Sequence, residues 1–450
     1  MAKPVIVVGG GLAGLAAAIY LARGGRKVTL FEKRRNLGGR AITHLRRGFR
    51  FNLGPHAIAR RGAAAKIYRE LGVPVRGGSP KARGTALLNG NNYRLPVSIL
   101  SLLTTSILDV HGRLEGAALL FRLRSLDTRP FVAMTAREWL DRNVKSDRLR
   151  AVMEALLRLA TYSSDMGQNA ASALEQLKVV VRGVVYVDEG WQKLVDALHS
   201  HAVTSGVNFV TSSRVLAIRH DGAVTGIEIG GLEETPHNDT VSVALPETTP
   251  QSLKGTFLEA DTVLLAIDPM TARELVGVSE VTAPWAQLKP LTLSCLDVAL
   301  SKLPDPKRTF ALGIDKPLYM SVHSAYAQLT PRGGALIHVA KYGTSRLRPR
   351  NVDYDEDTMQ PTPASRLDEA ELEALLDQLQ TGWREVLVHK RFLPAMTVSN
   401  ALITPGMTRP SHATTIRGLF VAGDWVGSEG SFSDAALSSA RAAAMAILAG

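Results

Sequence analysis

Residues 4–33 read PVIVVGGGLAGLAAAIYLARGGRKVTLFEK, and the order of residue types in this stretch decides the fold. Val5 to Val8 is a short β-branched run of the kind a buried parallel strand uses. Three glycines follow at once, spaced Gly9-x-Gly11-x-x-Gly14. Leu12 to Arg23 is rich in alanine and leucine and predicts a helix. Val28 to Phe31 is a second strand, and Glu32 closes it.

Each glycine has its own geometric task. Gly9 permits the tight turn, Gly11 lets the backbone approach a pyrophosphate, and Gly14 lets the helix pack close to the sheet. Leu12 and Ala13 head that helix, whose unpaired N–H groups and positive dipole end face the phosphates. Glu32, with Lys33 beside it, stands where a carboxylate accepts hydrogen bonds from ribose hydroxyls. Strand, glycines, helix and acid together predict a dinucleotide site rather than a glycine-rich structural turn. This part of the pattern does not separate NAD from FAD.

The following residues narrow the choice. In NLGGRAIT, Gly38 and Gly39 allow close backbone approach and Arg40 offers a bidentate partner for phosphate. Together with the first motif, Gly38-Gly39-Arg40 resembles the FAD-dependent amine oxidase and phytoene desaturase superfamily, closest to its phytoene desaturase-like branch. The segment GFRFNLGPHAI, Gly48 to Ile58, resembles that family's loop leading under the flavin, with Gly54, Pro55 and His56 as candidate contacts. Asn52 stands where the family usually carries aspartate. The resemblance also implies that Val215 passes the adenine and that Gly423-Asp424 binds the pyrophosphate and ribityl region. It places Ser431, Phe432 and Ser433 by the ring, before a last helix whose N-terminus stabilises charge on the reduced cofactor. Asp434 occupies a position where relatives commonly have glycine, and it or Ser433 is a candidate N-cap for the last helix.

The expected fold class is therefore α/β. It comprises a Rossmann-like FAD-binding domain of the GR2 type, an α+β substrate domain and a helical segment suited to membrane docking. The expected FAD-binding domain is discontinuous, at 1–75, 185–272 and 402–450. The helical segment spans 76–184 and the substrate domain 273–401. Thr135 and Glu138 have capping-box spacing at the start of one helix. The stretches GGLEETPHNDT and LPETTPQSLKG read as polar turns, and DYDEDTMQPTP as a solvated loop.

Composition bounds the partners. The chain has 450 residues, 45% hydrophobic and 21% charged, which is globular. Its one cysteine, Cys295, allows no intrachain disulfide, which fits a reducing compartment. The formal net charge is +12, read either as a basic, arginine-rich proteome or as attraction to an anionic surface. No nucleic-acid module is recognisable. Leu95 to Leu108 is uncharged and is followed by Arg113, Arg122 and Arg124. It reads either as an interfacial segment or as a pair of buried helices. Membrane-associated relatives dock through this part of the chain, so the resemblance implies a cytoplasmic protein peripheral on the inner face of the membrane. The glycine-interrupted N-terminus is not read as an export signal, and no stretch is long and apolar enough to span a bilayer.

The resemblance implies a non-covalently bound FAD that takes a hydride at N5 from an apolar, isoprenoid-like substrate. Oxygen or a quinone then reoxidises it. The alternatives are an amine or amino-acid oxidase, a protoporphyrinogen-type oxidase, and a non-enzymatic binder built like the Rab escort proteins. Ser431 stands where amine oxidases often place an aromatic cage residue, and the flavin motifs that non-enzymatic binders lose are intact. No residue declares itself an acid or base. His323, Tyr319, Arg158 and Tyr162 are the pocket candidates, each with a structural reading beside it, and no metal-ligand set is expected.

Overall fold

A computed structural model describes residues 4–230, 255–343 and 363–450. The three polar stretches predicted as turns and loop fall almost wholly outside these residues.

The first strand, Val5–Val8, is buried along its whole length because it lies at the centre of a five-stranded parallel sheet. Val5 pairs with Val28 on one side and with Thr262 on the other. The order across the sheet is 208–210, 28–31, 5–8, 262–265 and 419–421. A strand from near the C-terminus therefore lies two places from the first.

Small side chains set the packing on one face of this sheet. Helix Leu12–Arg23 lies against the closing helix Ser433–Ala449. Ala16, Ala17, Ala440, Ala443 and Ala444 are fully buried, so the two backbones approach closely. The other face carries an antiparallel sheet of strands Val215–His220, Val224–Ile229 and Thr256–Glu259. Trp425 and Trp285 fill the gap there, with ring centroids 5.5 Å apart.

The second half is a seven-stranded sheet in the order 387–399, 291–300, 335–342, 318–322, 310–313, 85–88 and 91–94. All ten residues of Leu291–Leu300 are buried, because both faces are covered. Leu296, Val298 and Leu300 pack with Leu372 and Leu376 of helix Pro363–Leu379. Leu293 and Cys295 pack with the helical layer between 99 and 181. In that layer, Thr135 Oγ1 accepts from Glu138 N at 3.1 Å and Glu138 Oε2 accepts from Thr135 N at 2.8 Å, forming the capping box.

One stretch expected to be helical is not. Thr85–Leu88 and Asn91–Arg94 form a hairpin that joins the seven-stranded sheet. Its turn is Asn89-Gly90, both at positive φ, the pair that a two-residue hairpin loop requires. Leu95 to Leu108 is split by burial. Leu95, Leu102, Ile107 and Leu108 are buried, whereas Ile99, Leu100 and Leu103 are exposed. Among the described residues no helix is long and apolar enough to cross a membrane.

Candidate active site

The three glycines of the turn differ in what surrounds them. Gly9 is at φ +107, and a Cβ there would lie 2.6 Å from the Ala266 carbonyl oxygen. A Cβ on Gly14 would lie 1.9 Å from Gly9 O, so that glycine is needed for packing. A Cβ on Gly11 would meet only Gly38 O, at 4.0 Å. The space over Gly11 is therefore open, as a pyrophosphate requires. Gly11 is the N-cap of the helix with no side-chain cap, leaving the N–H groups of the first turn, starting at Leu12 and Ala13, for a ligand. Gly38 N donates to Gly10 O at 2.8 Å, so the two glycine motifs touch.

Glu32 ends its strand beside this turn. Its carboxylate accepts from Gly10 N at 2.7 Å and from Arg34 N at 3.0 Å. Glu32 N donates to Val210 O and Ser213 N donates to Glu32 O. These bonds tether the strand leading to buried Val215 to the acid and its neighbour Lys33. The residues present fit the ADP half of a dinucleotide.

The second glycine motif meets the C-terminal one. Arg40 pairs with Asp424 through two contacts, at 3.1 and 2.9 Å. Asn400 adds two more hydrogen bonds to the same carboxylate, at 3.0 and 2.9 Å. Asp424 is 2% exposed. Its carboxylate therefore orients Arg40. Gly423 is at φ +153, and Ser439 Oγ accepts from its N–H and donates to its carbonyl, both at 2.9 Å.

The loop Gly54-Pro55-His56 lies against the seven-stranded sheet. A Cβ on Gly54 would come within 2.4 Å of Met396 Sδ and 3.5 Å of Cys295 Sγ. His56 Nδ1 faces Gly54 O at 3.1 Å and Nε2 faces Arg40 O at 3.2 Å. Both partners only accept, so a neutral ring satisfies one of them. Burial nevertheless pushes this imidazole down to about 4. Asn52 Oδ1 accepts from Thr43 Oγ1 at 2.7 Å and from Trp191 N at 3.0 Å, so it clamps three segments together.

Sequence reasoning missed a row of polar residues under this loop. Strand register places His338 and Arg391 on either side of Asp297. His338 Nδ1 donates to Asp297 Oδ1 at 2.6 Å, and Arg391 bonds Asp297 Oδ2 and the Asn52 carbonyl. Burial opposes the charge on Asp297, but Arg391 first and then His338 hold its carboxyl well below the usual range. Cys295 Sγ, Asp297 and His338 lie within 4.8 Å of one another, though Arg391 already holds the carboxylate. Only the pairing of strands distant in sequence brings these residues together.

The four pocket candidates divide. Tyr162 sits in the left-handed region at φ +57 and meets Phe432 edge-on, with centroids 5.5 Å apart. Tyr342 follows Tyr162 at 6.0 Å and Tyr319 follows Tyr342 at 6.1 Å. Burial pushes all three phenols up. Arg158 instead donates to the carbonyls of Gly313, Ile314 and Lys316, and so ties its helix to the sheet. His323 stacks on Tyr186 at 3.7 Å, and neither of its nitrogens has a partner among the described residues. Burial, then His338 and His56, hold its imidazole well below its ordinary value, so it is neutral.

The last helix starts at Ser433 with Phe432 as N-cap, at φ +55 and ψ −125, and no side chain caps it. The expectation that Ser433 or Asp434 caps this helix is thus corrected. Asp434 Oδ1 instead accepts from Ala64 N at 2.7 Å. It caps helix Ala63–Leu71, whose own N-cap is Gly62 and has no side chain to offer. Burial raises Asp434 to about 6, with Glu429 adding to the rise and the Ala64 bond opposing it.

Comparison with known proteins agrees with this architecture. The profile of the flavin-containing amine oxidoreductase family matches residues 12–291. A 4,4'-diaponeurosporene oxygenase of Staphylococcus aureus is 47% identical over 58 residues, which is 13% of this chain and 12% of that protein. The match therefore spans only a small part of that relative's length. An oxidoreductase from Methanosarcina mazei superposes with a TM-score of 0.72 at 19% identity, covering 99% of this chain and 100% of that one. Cyclohexylamine oxidase from Brevibacterium oxydans superposes with a TM-score of 0.69 at 14% identity, covering 100% and 99%. At these identities the two structures share the fold.

Proposed function

The chain belongs to the flavin-containing amine oxidoreductase family and is an FAD-dependent oxidoreductase, and on that premise we propose that it dehydrogenates or desaturates an apolar, isoprenoid-like substrate. FAD would supply the acceptor for a hydride from a substrate C–H bond, and the second hydrogen would leave the neighbouring carbon as a proton to solvent. Gly11, Glu32, Arg40, Asp424 and the head of helix Ser433–Ala449 would hold it. Oxygen or a quinone is the proposed final acceptor.

The observation that carries the apolar reading is the wall leading away from Phe432. Tyr162, Tyr342 and Tyr319 run from it edge to face, and all three belong to one apolar cluster with Leu293, Cys295 and Met396. Such a wall recognises hydrocarbon by area and shape. The relative named for diaponeurosporene supports the same class. The test is turnover of a polyunsaturated isoprenoid by the holoenzyme with a quinone present. A product two mass units lighter is expected. Conversion of primary amines or porphyrinogens, with isoprenoids untouched, would overturn the reading.

The exposed apolar residues give the surface a role in the same reading. Val110, Leu114 and Phe121 share one face of helix Val110–Leu123 and are 65%, 63% and 78% exposed. Ile99, Leu100 and Leu103 are exposed on the preceding helix, and Arg122 and Arg124 are exposed close by. Apolar side chains rimmed by arginines on a chain of net charge +12 suit an anionic lipid surface. An isoprenoid substrate would be drawn from that surface.

A further inference from the structure

A small cavity lies where the helical layer meets the cofactor domain, and its chemistry differs from the aromatic wall. Its volume is about 50 Å³, room for a few waters or one small polar group. Gln168 and Asn169 line it from the helical side, and Ser399, Arg409, Ser431 and Phe432 from the other. Gln168 is 3% exposed, and its Nε2 is buried without a hydrogen-bond partner among the described residues. A buried amide left unpaired costs about 1–3 kcal/mol, so it calls for a ligand atom.

Arg409 supplies charge at the same place. It donates to Asp424 O at 3.1 Å and to Gly430 O at 2.7 Å, which fixes the direction of its fork. Two of its five N–H groups are thereby used. Among the described residues no carboxylate bonds it, because the Asp424 carboxylate is engaged by Arg40 and Asn400. Phe432, held at positive φ on the cavity wall, also faces Tyr162 at the head of the aromatic run. Backbone in that region is held against a strain of about 1–3 kcal/mol, as is common at ligand sites.

We infer that this cavity is a subsite for a carboxylate, and that the substrate is an apolar chain with an acidic end. The inference rests on the apolar-substrate reading for the chain and on Gln168 and Arg409 for the end. Gln168 Nε2 and the spare N–H groups of Arg409 donate to the carboxylate oxygens, and the hydrocarbon runs past Phe432 along the tyrosines. A carboxylate gains two charge-assisted bonds that an alcohol of the same length does not.

Calorimetry on the FAD-loaded enzyme tests this, with geranic acid against geraniol and butanoate against butan-1-ol. Geranic acid should bind at least tenfold more tightly than geraniol. Gln168→Leu should reduce that preference about threefold to tenfold and Gln168→Glu should abolish it, with geraniol affinity unchanged. Among the described residues the Gln168 side chain makes no hydrogen bond, so Gln168→Leu breaks none there, and retained FAD reports that either variant is folded. Equal binding of acid and alcohol, or a preference that survives Gln168→Glu, overturns the subsite and leaves the isoprenoid reading standing. Gln168-dependent binding of butanoate with no binding of either ten-carbon compound keeps the subsite and overturns the isoprenoid reading.

Discussion

Two glycines one turn apart have opposite reasons to be glycine. Gly11→Ala adds a methyl into open space, 4.0 Å from the nearest atom. It should leave the protein folded but lower its FAD content at least tenfold after gel filtration. Gly14→Ala places its methyl 1.9 Å from Gly9 O and should yield little folded protein by circular dichroism. A Gly11→Ala protein with full FAD content would contradict the assignment of that space to pyrophosphate. Asp434 gives a pH prediction. Its pKa is raised to about 6 in the native chain, against about 3.9 when unfolded. The stability it lends is full below about pH 4 and is lost as pH rises through 6. The loss is on the order of 3 kcal/mol. Asp434→Asn keeps the acceptor for Ala64 N and removes the charge. It should raise Tm by a few degrees at pH 8 and not at pH 4. An equal effect at both pH values would refute the cause. The glycine motifs and Glu32 were legible in the sequence because their neighbours are local. Asp434 and Asn52 were not, because Asp434 caps a helix some 370 positions away and Asn52 clamps residues 9 and 139 positions away.

Among the elements, the helices 99–104 and 110–123 carry the most specific claim. Their sequence allowed two readings, and burial divides the residues between both. Leu102, Leu119 and Leu123 face the core, while Leu100, Leu114 and Phe121 face outward. The triple substitution Leu100→Ser, Leu114→Ser and Phe121→Ser should leave FAD content and Tm nearly unchanged. It should reduce co-sedimentation with phosphatidylglycerol vesicles at low salt at least fivefold. Wild-type protein that stays in the supernatant would sink the docking surface. The turn of the hairpin at 85–94 was also written in the sequence, in Asn89-Gly90, yet a stretch read as helical concealed it. The row Arg391–Asp297–His338 had no such signal. It exists through the register of three strands, and period two then turns Cys295 and Asp297 toward the same loop.

At the scale of the whole molecule, segments far apart in sequence come together in one candidate cofactor site. The strand before Gly423 completes the sheet begun at Val5, and Arg40 meets Asp424 across 384 positions. A GD pair near the end of a chain is meaningful only because the opening motif needs a second half. The side proposed to take the substrate has no equivalent local code. Its aromatic wall is assembled from helix, sheet and closing loop, so sequence indicated a class of chemistry and left the pocket to be found in three dimensions. Anaerobic titration of the FAD-loaded enzyme tests the central claim most directly. The visible absorbance of the oxidised flavin is followed as isoprenoid, amine or porphyrinogen is added without oxygen. The account predicts stoichiometric bleaching by the isoprenoid alone and recovery of the band on admitting a quinone or air. Bleaching by an amine or a porphyrinogen, with the isoprenoid inert, would contradict it.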